Sequence, residues 1–301
     1  MELALTLVSP DPNVTRAVAD PLDSGLAVTG FSVKARVDLG PGAIDLRLDA
    51  EPVALRKWVR AQLDRADITG LPVDWCVQPG QGRRKRLLLA DMDSTIIDVE
   101  CLDELADFAG KKAEVSEITE RAMRGELQFE GALRERVAML KGLPLSALQE
   151  AYEQRVHLNS GARTLVRTMA ANGARCVLVS GGFTFFTSRV AEAAGFHDNR
   201  ANTLIEEDAA LAGTVGEPIL GREAKLAALK EEAGALGIEL AQTLAIGDGA
   251  NDLAMIEAAG LGVAYRAKPV VAAQADAKVD YADLTALLYF QGYTEAEFVR
   301  D

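Results

Sequence analysis

The stretch Leu87 to Thr95, Leu-Leu-Leu-Ala-Asp-Met-Asp-Ser-Thr, constrains the fold more than any other part of this sequence. Four apolar residues in succession predict a strand buried on both faces, as in a parallel sheet covered by helices. The polar burst begins where that strand ends, at the edge of an open α/β sheet where ligands bind. Asp91 and Asp93 are thus two carboxylates at a buried strand terminus. Without partners they would be costly to desolvate or strongly shifted in pKa. A divalent cation resolves the problem and brings chemistry with it. On its own the stretch also reads as a strand running into a helix cap, so the rest of the chain has to decide.

With 301 residues the chain is long enough for two domains and sizeable cores. A formal net charge of −13 argues against nucleic acid as a partner, because such a surface carries a basic footprint. Cys76, Cys101 and Cys176 are scattered, odd in number and without metal-ligand spacing, as expected of a reduced, cytoplasmic protein. No apolar run is long enough to span a bilayer and nothing resembles a signal peptide, so no membrane partner is expected.

Residues 1–80 are expected to form a separate α+β domain. Strand patterns over 2–8, 28–37, 43–48 and 73–77 alternate with helical spacing over 13–22 and 55–63. The order βαββαβ predicts a ferredoxin-like sandwich. It resembles the ACT-type regulatory domains that bind small amino acids. A serine feedback ligand and a role in forming a homodimer are both open for it. A Pro-Gly-Gln-Gly linker follows, then Arg83-Arg84-Lys85-Arg86, which reads as a solvated basic face.

Residues 81–301 are expected to form the second domain. Between about 100 and 158 the periodicity is helical throughout, which predicts a cap inserted after the Asp91 strand. The α/β rhythm then resumes. A strand ends at Ser180-Gly181-Gly182, whose hydroxyl and glycines suit a phosphate oxygen. A hairpin is predicted over 201–215. Lys225 lies near the start of a helix over 222–236, where a cation opposes the helix dipole and so hints at another role. A third buried strand, 243–246, ends in Gly247-Asp248-Gly249-Ala250-Asn251-Asp252. Aspartates gathered at one sheet edge suit a hard cation, and Mg²⁺ best among them.

Together these stretches resemble the haloacid-dehalogenase (HAD) superfamily, and within it the phosphoserine phosphatases, over residues 86 to about 290. Asp91–Thr95 resembles the first family motif, Ser180–Phe183 the second, Lys225 the third and Gly247–Asp252 the fourth. The resemblance implies a Rossmann-like α/β core with a helical cap. It implies hydrolysis of O-phosphoserine to serine and phosphate through an aspartyl-phosphate, the last step of serine biosynthesis. Asp91 would be the nucleophile and Asp93 the acid–base. Ser180, Gly181 and Lys225 would hold phosphate. Mg²⁺ would bind Asp91, the Asp93 carbonyl and Asp248, with Asp252 behind them. Glu100, Met123, Phe129, Arg136 and Asn251 would surround the substrate. Transfer of the phosphoryl group to homoserine or another alcohol, or an inert amino-acid-responsive regulator, are the alternatives to hydrolysis.

Overall fold

The structure is a computed structural model that describes residues 1–65, 68–123 and 126–300, without the side chains of residues 122 and 123. The chain begins with β1 (Glu2–Val8), α1 (Pro12–Val28), β2 (Ser32–Gly40), β3 (Ala43–Asp49), α2 (Pro52–Leu63) and β4 (Asp74–Pro79). The strands are antiparallel in the order β2-β3-β1-β4. Each helix starts on an acidic cap followed by proline. Asp11 accepts from the Asn13 N–H, and Glu51 from the Ala54 N–H. Leu3, Leu5, Leu7, Leu46 and Leu48 point to the helices and bury Val18, Leu22, Leu26, Leu55 and Val59.

Helix α1 runs six residues beyond the expected Leu22, straight through Pro21. An interior proline costs about 3 kcal/mol. Here Leu22 and Leu26 continue the buried stripe beyond the proline, and that tertiary burial outweighs the local penalty. Val28 therefore ends a helix, and the strand expected from 28 starts at Ser32.

The remaining chain builds a parallel sheet around β5 (Leu87–Ala90). A cap of four helices follows: α3 (Cys101–Phe108), α4 (Lys112–Met123), α5 (Phe129–Ala138) and α6 (Leu145–Arg155). Then come α7 (Ala162–Ala171), β6 (Arg175–Phe183), α8 (Thr184–Ala194), β7 (Asp198–Asn202), β8 (Leu204–Glu207), β9 (Ala210–Val215) and α9 (Arg222–Ala235). The chain continues with β10 (Thr243–Gly247), α10 (Leu253–Ala258), β11 (Leu261–Tyr265), α11 (Pro269–Ala272), β12 (Ala277–Val279) and α12 (Ala286–Phe290). In β5, Leu88 and Ala90 enter one core while Leu87 and Leu89 enter the other. That two-sided burial explains why its sequence shows no alternation.

The predicted hairpin is β8–β9 alone, turning through Asp208 and Ala209 with φ of 49° and 61°. Residues 198–202 instead form β7, an edge strand of the main sheet. The hairpin completes the cap. Gly142 N–H donates to the Leu211 carbonyl (2.8 Å), Leu211 N–H to the Leu143 carbonyl (2.9 Å) and Leu145 N–H to the Ala209 carbonyl (3.1 Å).

Strands β4 and β12 pair at Trp75 and Lys278, so one sheet of ten strands runs in the order β2-β3-β1-β4-β12-β11-β10-β5-β6-β7. The seam is polar, and its buried carboxylates are hydrogen-bonded. The Asp74 carboxylate accepts backbone N–H groups of Asp280, Tyr281 and Ala282 at 2.8, 3.2 and 2.8 Å. Asp45, fully buried, accepts from Thr6 Oγ1 and Arg83 Nη1, both at 2.7 Å. The basic run is therefore not a solvated face. Arg83 and Lys85 turn inward and only their neighbours face water, because the segment crosses the seam in extended form. Lys85 Nζ donates to the Ala241 carbonyl at 2.9 Å.

Candidate active site

The site forms where β5, β6 and β10 end together. Asp91 N–H donates to the Ile246 carbonyl at 3.0 Å, the last rung before the chain leaves the sheet. The backbone then turns sharply over Met92–Ile96, with Ser94 in the left-handed region at φ 55°. This turn sends the two aspartates of the first motif in different directions.

Asp91 is buried, with Oδ1 at 2.5 Å from Lys225 Nζ. The same ammonium donates to Asp252 Oδ1 at 2.6 Å. Asp252 Oδ2 accepts the Gly249 N–H at 3.1 Å, which folds the fourth motif into a tight loop. Carboxylate oxygens of Asp91, Asp248 and Asp252 lie within 4.8 Å of one another. The Asp93 carboxylate faces the other way. It accepts from Ser180 Oγ (3.0 Å) and from the Cys101 N–H opening α3 (2.9 Å). Ser180 Oγ in turn accepts the Gly182 N–H at 2.8 Å.

The electrostatics follow from burial. Desolvation, and then the charge of Asp252, push Asp91 well above the usual carboxylate range. Desolvation also raises Asp93 and, with Asp252, pushes Asp248 up to about 6. Burial alone would lower Lys225, but Asp252 and Asp91 hold it above its ordinary value. Three clustered carboxylates against one ammonium leave negative charge without a partner. Asp91 Oδ1 also receives no well-directed hydrogen bond, despite its ionic contact with Lys225. An all-oxygen donor set with surplus negative charge fits a hard divalent cation.

The cap closes over this floor. The Phe129 ring, at the first turn of α5, lies against two glycines. A Cβ on Gly181 would sit 3.3 Å from its Cζ, and one on Gly221 would sit 3.2 Å from its Cδ1. Arg136, two turns further along α5, is half-buried, and desolvation lowers its proton affinity, which the charges of Asp103 and Glu100 offset only in part. Glu100 accepts from Ser94 Oγ at 2.7 Å and stays open to solvent on one side. The protein around it, and then the Asp93 carboxylate, push it up to about 7.

The expected residues Asp91, Asp93, Ser180, Gly181, Lys225, Asp248 and Asp252 thus meet at one sheet edge, with Glu100, Phe129 and Arg136 above them. Asn251 lies in the fourth-motif loop with its Oδ1 folded over Gly249, where a Cβ would come within 2.3 Å. Met123 ends α4, but its side chain lies outside the described residues, as do Arg124 and Gly125. Two residues escape the sequence reading. Thr95 donates to Asp248 Oδ1 at 3.4 Å, and Gly221 leaves room for Phe129. A hydroxyl in the first motif was a visible signal for Thr95; a glycine before a helix carries none.

The haloacid dehalogenase-like hydrolase family model matches residues 88–257, which takes in all four motifs. The chain belongs to this family of hydrolases, and within it to the group of the phosphoserine phosphatases. A phosphoserine phosphatase of Polaromonas sp. is 48% identical over 208 residues, covering 67% of this chain and 88% of the relative. The structure of a probable phosphoserine phosphatase from Vibrio cholerae superposes with a TM-score of 0.76 at 31% identity, covering 98% of this chain and 88% of that one. A HAD family hydrolase from Salmonella enterica superposes with a TM-score of 0.81 at 27% identity, covering 96% and 98%. No helix among the described residues is long and apolar enough to cross a membrane.

Proposed function

We propose that this chain hydrolyses O-phosphoserine to serine and phosphate in the cytoplasm, with Mg²⁺ as cofactor, as the last step of serine biosynthesis. The observation that supports the reading is the buried Asp91 carboxylate paired to Lys225, beneath a cap in which Glu100 and Arg136 lie close enough to feel each other's charge.

Asp91 would hold Mg²⁺ together with Asp248 and the Asp93 carbonyl, with Asp252 supporting them through Lys225. The ion supplies charge neutralisation between the anionic nucleophile and the phosphate. Burial and Asp252 favour the neutral acid, so Lys225 and the bound cation together would hold Asp91 ionised, and its carboxylate oxygen attacks phosphorus in line. Ser180, the backbone around Gly181 and Lys225 hold the phosphoryl oxygens, where charge develops in the transition state. Asp93, raised by burial, enters protonated and gives its proton to the serine oxygen as the P–O bond breaks. It then takes a proton from water, which attacks the aspartyl-phosphate and releases phosphate with Asp91 restored. Glu100 and Arg136 pair with the ammonium and carboxylate of the substrate. Asn251 helps to orient it, and Met123 and Phe129 wall it from water.

Residues 1–80 are read as an ACT-like domain with a regulatory or assembly role. Their βαββαβ order supports this. Serine as feedback ligand and a homodimer are the corresponding expectations, tested by serine titration and by mass measurement in solution.

Phosphate release from a panel of phosphomonoesters, after chelation and after Mg²⁺ is restored, tests the function. Activity on O-phosphoserine that EDTA abolishes and Mg²⁺ recovers is expected. Undiminished activity in EDTA means that the acidic cluster is not a metal site. Turnover of O-phosphoserine only when homoserine or another alcohol is added means transfer rather than hydrolysis.

A further inference from the structure

Asn202 ends β7 and is buried, at 3% exposure. Its Nδ2 donates to the Gly181 carbonyl at 2.8 Å and the Leu220 carbonyl at 3.2 Å, and its Oδ1 accepts the Leu220 N–H at 2.6 Å. The amide orientation is fixed by these partners, since the reverse would face an oxygen to two carbonyl oxygens.

The strand register explains why the side chain is needed there. Val179 pairs with Arg200, and Phe183 with Asn202, so β6 advances four residues while β7 advances two. The surplus throws Ser180–Gly182 out of the ladder and toward Asp93. The Gly181 carbonyl thereby leaves the regular ladder, and Asn202 supplies a side-chain partner where a buried carbonyl needs one. Leu220 precedes Gly221 and the helix that carries Lys225. One buried amide therefore ties the loop bearing Ser180 to the loop that opens α9. Phe129 packs on both loops, at the glycine of each.

We propose that Asn202 is a positioning residue for the reaction. It fuses the Gly181 and Gly221 backbones into one rigid seat for Phe129, so that cap closure and the grip of Ser180 and Lys225 on phosphate are set together. The inference rests on the phosphatase reading above, and it deepens that reading by naming what aligns the cap with the phosphate subsite.

A double-mutant cycle on kcat/KM tests it. Asn202→Asp is nearly isosteric but turns a carboxylate oxygen toward two carbonyls, which opens the seat. Asn202→Asp and Phe129→Ala are each expected to lower kcat/KM for O-phosphoserine by roughly tenfold or more, and the double variant to stay within about threefold of the weaker single, because groups acting as one unit are not additive. A residue that merely stabilises the fold would cost the same in either background. Multiplying losses in folded protein, or an Asn202→Asp variant within about twofold of the parent, overturn the proposal. If Asn202→Asp does not fold, Gly221→Ala enters the cycle, since its methyl group displaces Phe129 and leaves the Asn202 bonds intact. It too must be non-additive with Phe129→Ala, and multiplying losses there overturn the seat. An active parent with independent losses refutes the seat alone. A parent inactive on both O-phosphoserine and p-nitrophenyl phosphate refutes the functional reading and the proposal with it.

Discussion

Substitution of Glu100 or Arg136 separates recognition of the amino-acid end of the substrate from recognition of its phosphate. In the proposed function Ser180 and Lys225 meet only the phosphate common to all phosphomonoesters, so selectivity would come from the charges above them. Removing one partner of a desolvated charge pair costs roughly 2–5 kcal/mol. Glu100 keeps one side open to solvent, so Glu100→Gln belongs at the low end, about 2 kcal/mol or about 30-fold in kcat/KM. Arg136 is half-buried and more enclosed, so Arg136→Ala belongs nearer 4 kcal/mol, on the order of 10³-fold. The assay is kcat/KM on O-phosphoserine beside p-nitrophenyl phosphate, which lacks both ammonium and carboxylate. Each variant is expected to lose its full factor on the first ester and much less on the second. The pH profile carries the same information. Glu100 sits at about 7 in the free site and must be ionised to meet an ammonium, so kcat/KM for O-phosphoserine rises through that pH. A cation held at Asp248 shifts the rise downward, and Glu100→Gln flattens it. Equal losses on both esters would refute the assignment of these residues to the amino-acid end.

Asp91→Asn is expected to leave a folded protein with kcat lowered on the order of 10³-fold or more, read by phosphate release, because an amide is a poor nucleophile. Asp74→Ala removes the acceptor of three backbone N–H groups at the seam and is expected to cost about 3 kcal/mol, read as a lower denaturant midpoint at unchanged slope. Burial acts to raise Glu232, but Arg175 and Arg200 hold it below its ordinary 4.5. Because the folded value is depressed, its contribution is full above 4.5 and lost as pH falls through the folded value, so Glu232→Gln is expected to flatten the loss of thermal stability below about pH 4.5.

The parts legible in the sequence are those in which one stretch carries its own signal. Leu87–Ala90 announces a doubly buried strand, Asp91 and Asp248 follow strand ends directly, and Ser180 follows the apolar run of β6. What was hidden depends on distant partners. Nothing local says that α1 survives Pro21, because the burial of Leu22 and Leu26 that offsets the proline comes from the sheet. Arg83 and Lys85 look like surface charges until Asp45 and the Ala241 carbonyl are brought beside them. The hairpin after β7 is readable as a hairpin, but its place in the cap rests on hydrogen bonds to Gly142–Leu145, more than sixty residues earlier. Asn202 was equally silent. An asparagine ending a strand gains meaning only once the register of β6 against β7 is known.

The pairing of β4 with β12 also changes how the chain guards itself against association. Two separate sheets would present four unpaired edges to solvent, whereas the joined sheet presents two, β2 and β7. Open edges invite strand addition from other molecules, and β2 is blunted by two register breaks and by the exposed Lys34, Arg36 and Asp38. Cleavage in the 80–86 crossing, followed by loss of the first four strands, would uncover β12 beside the apolar residues of α12. The fragment that carries Asp91, Lys225 and Asp248 would therefore be the stickier one, because the edge that β4 covers in the whole chain would lie open.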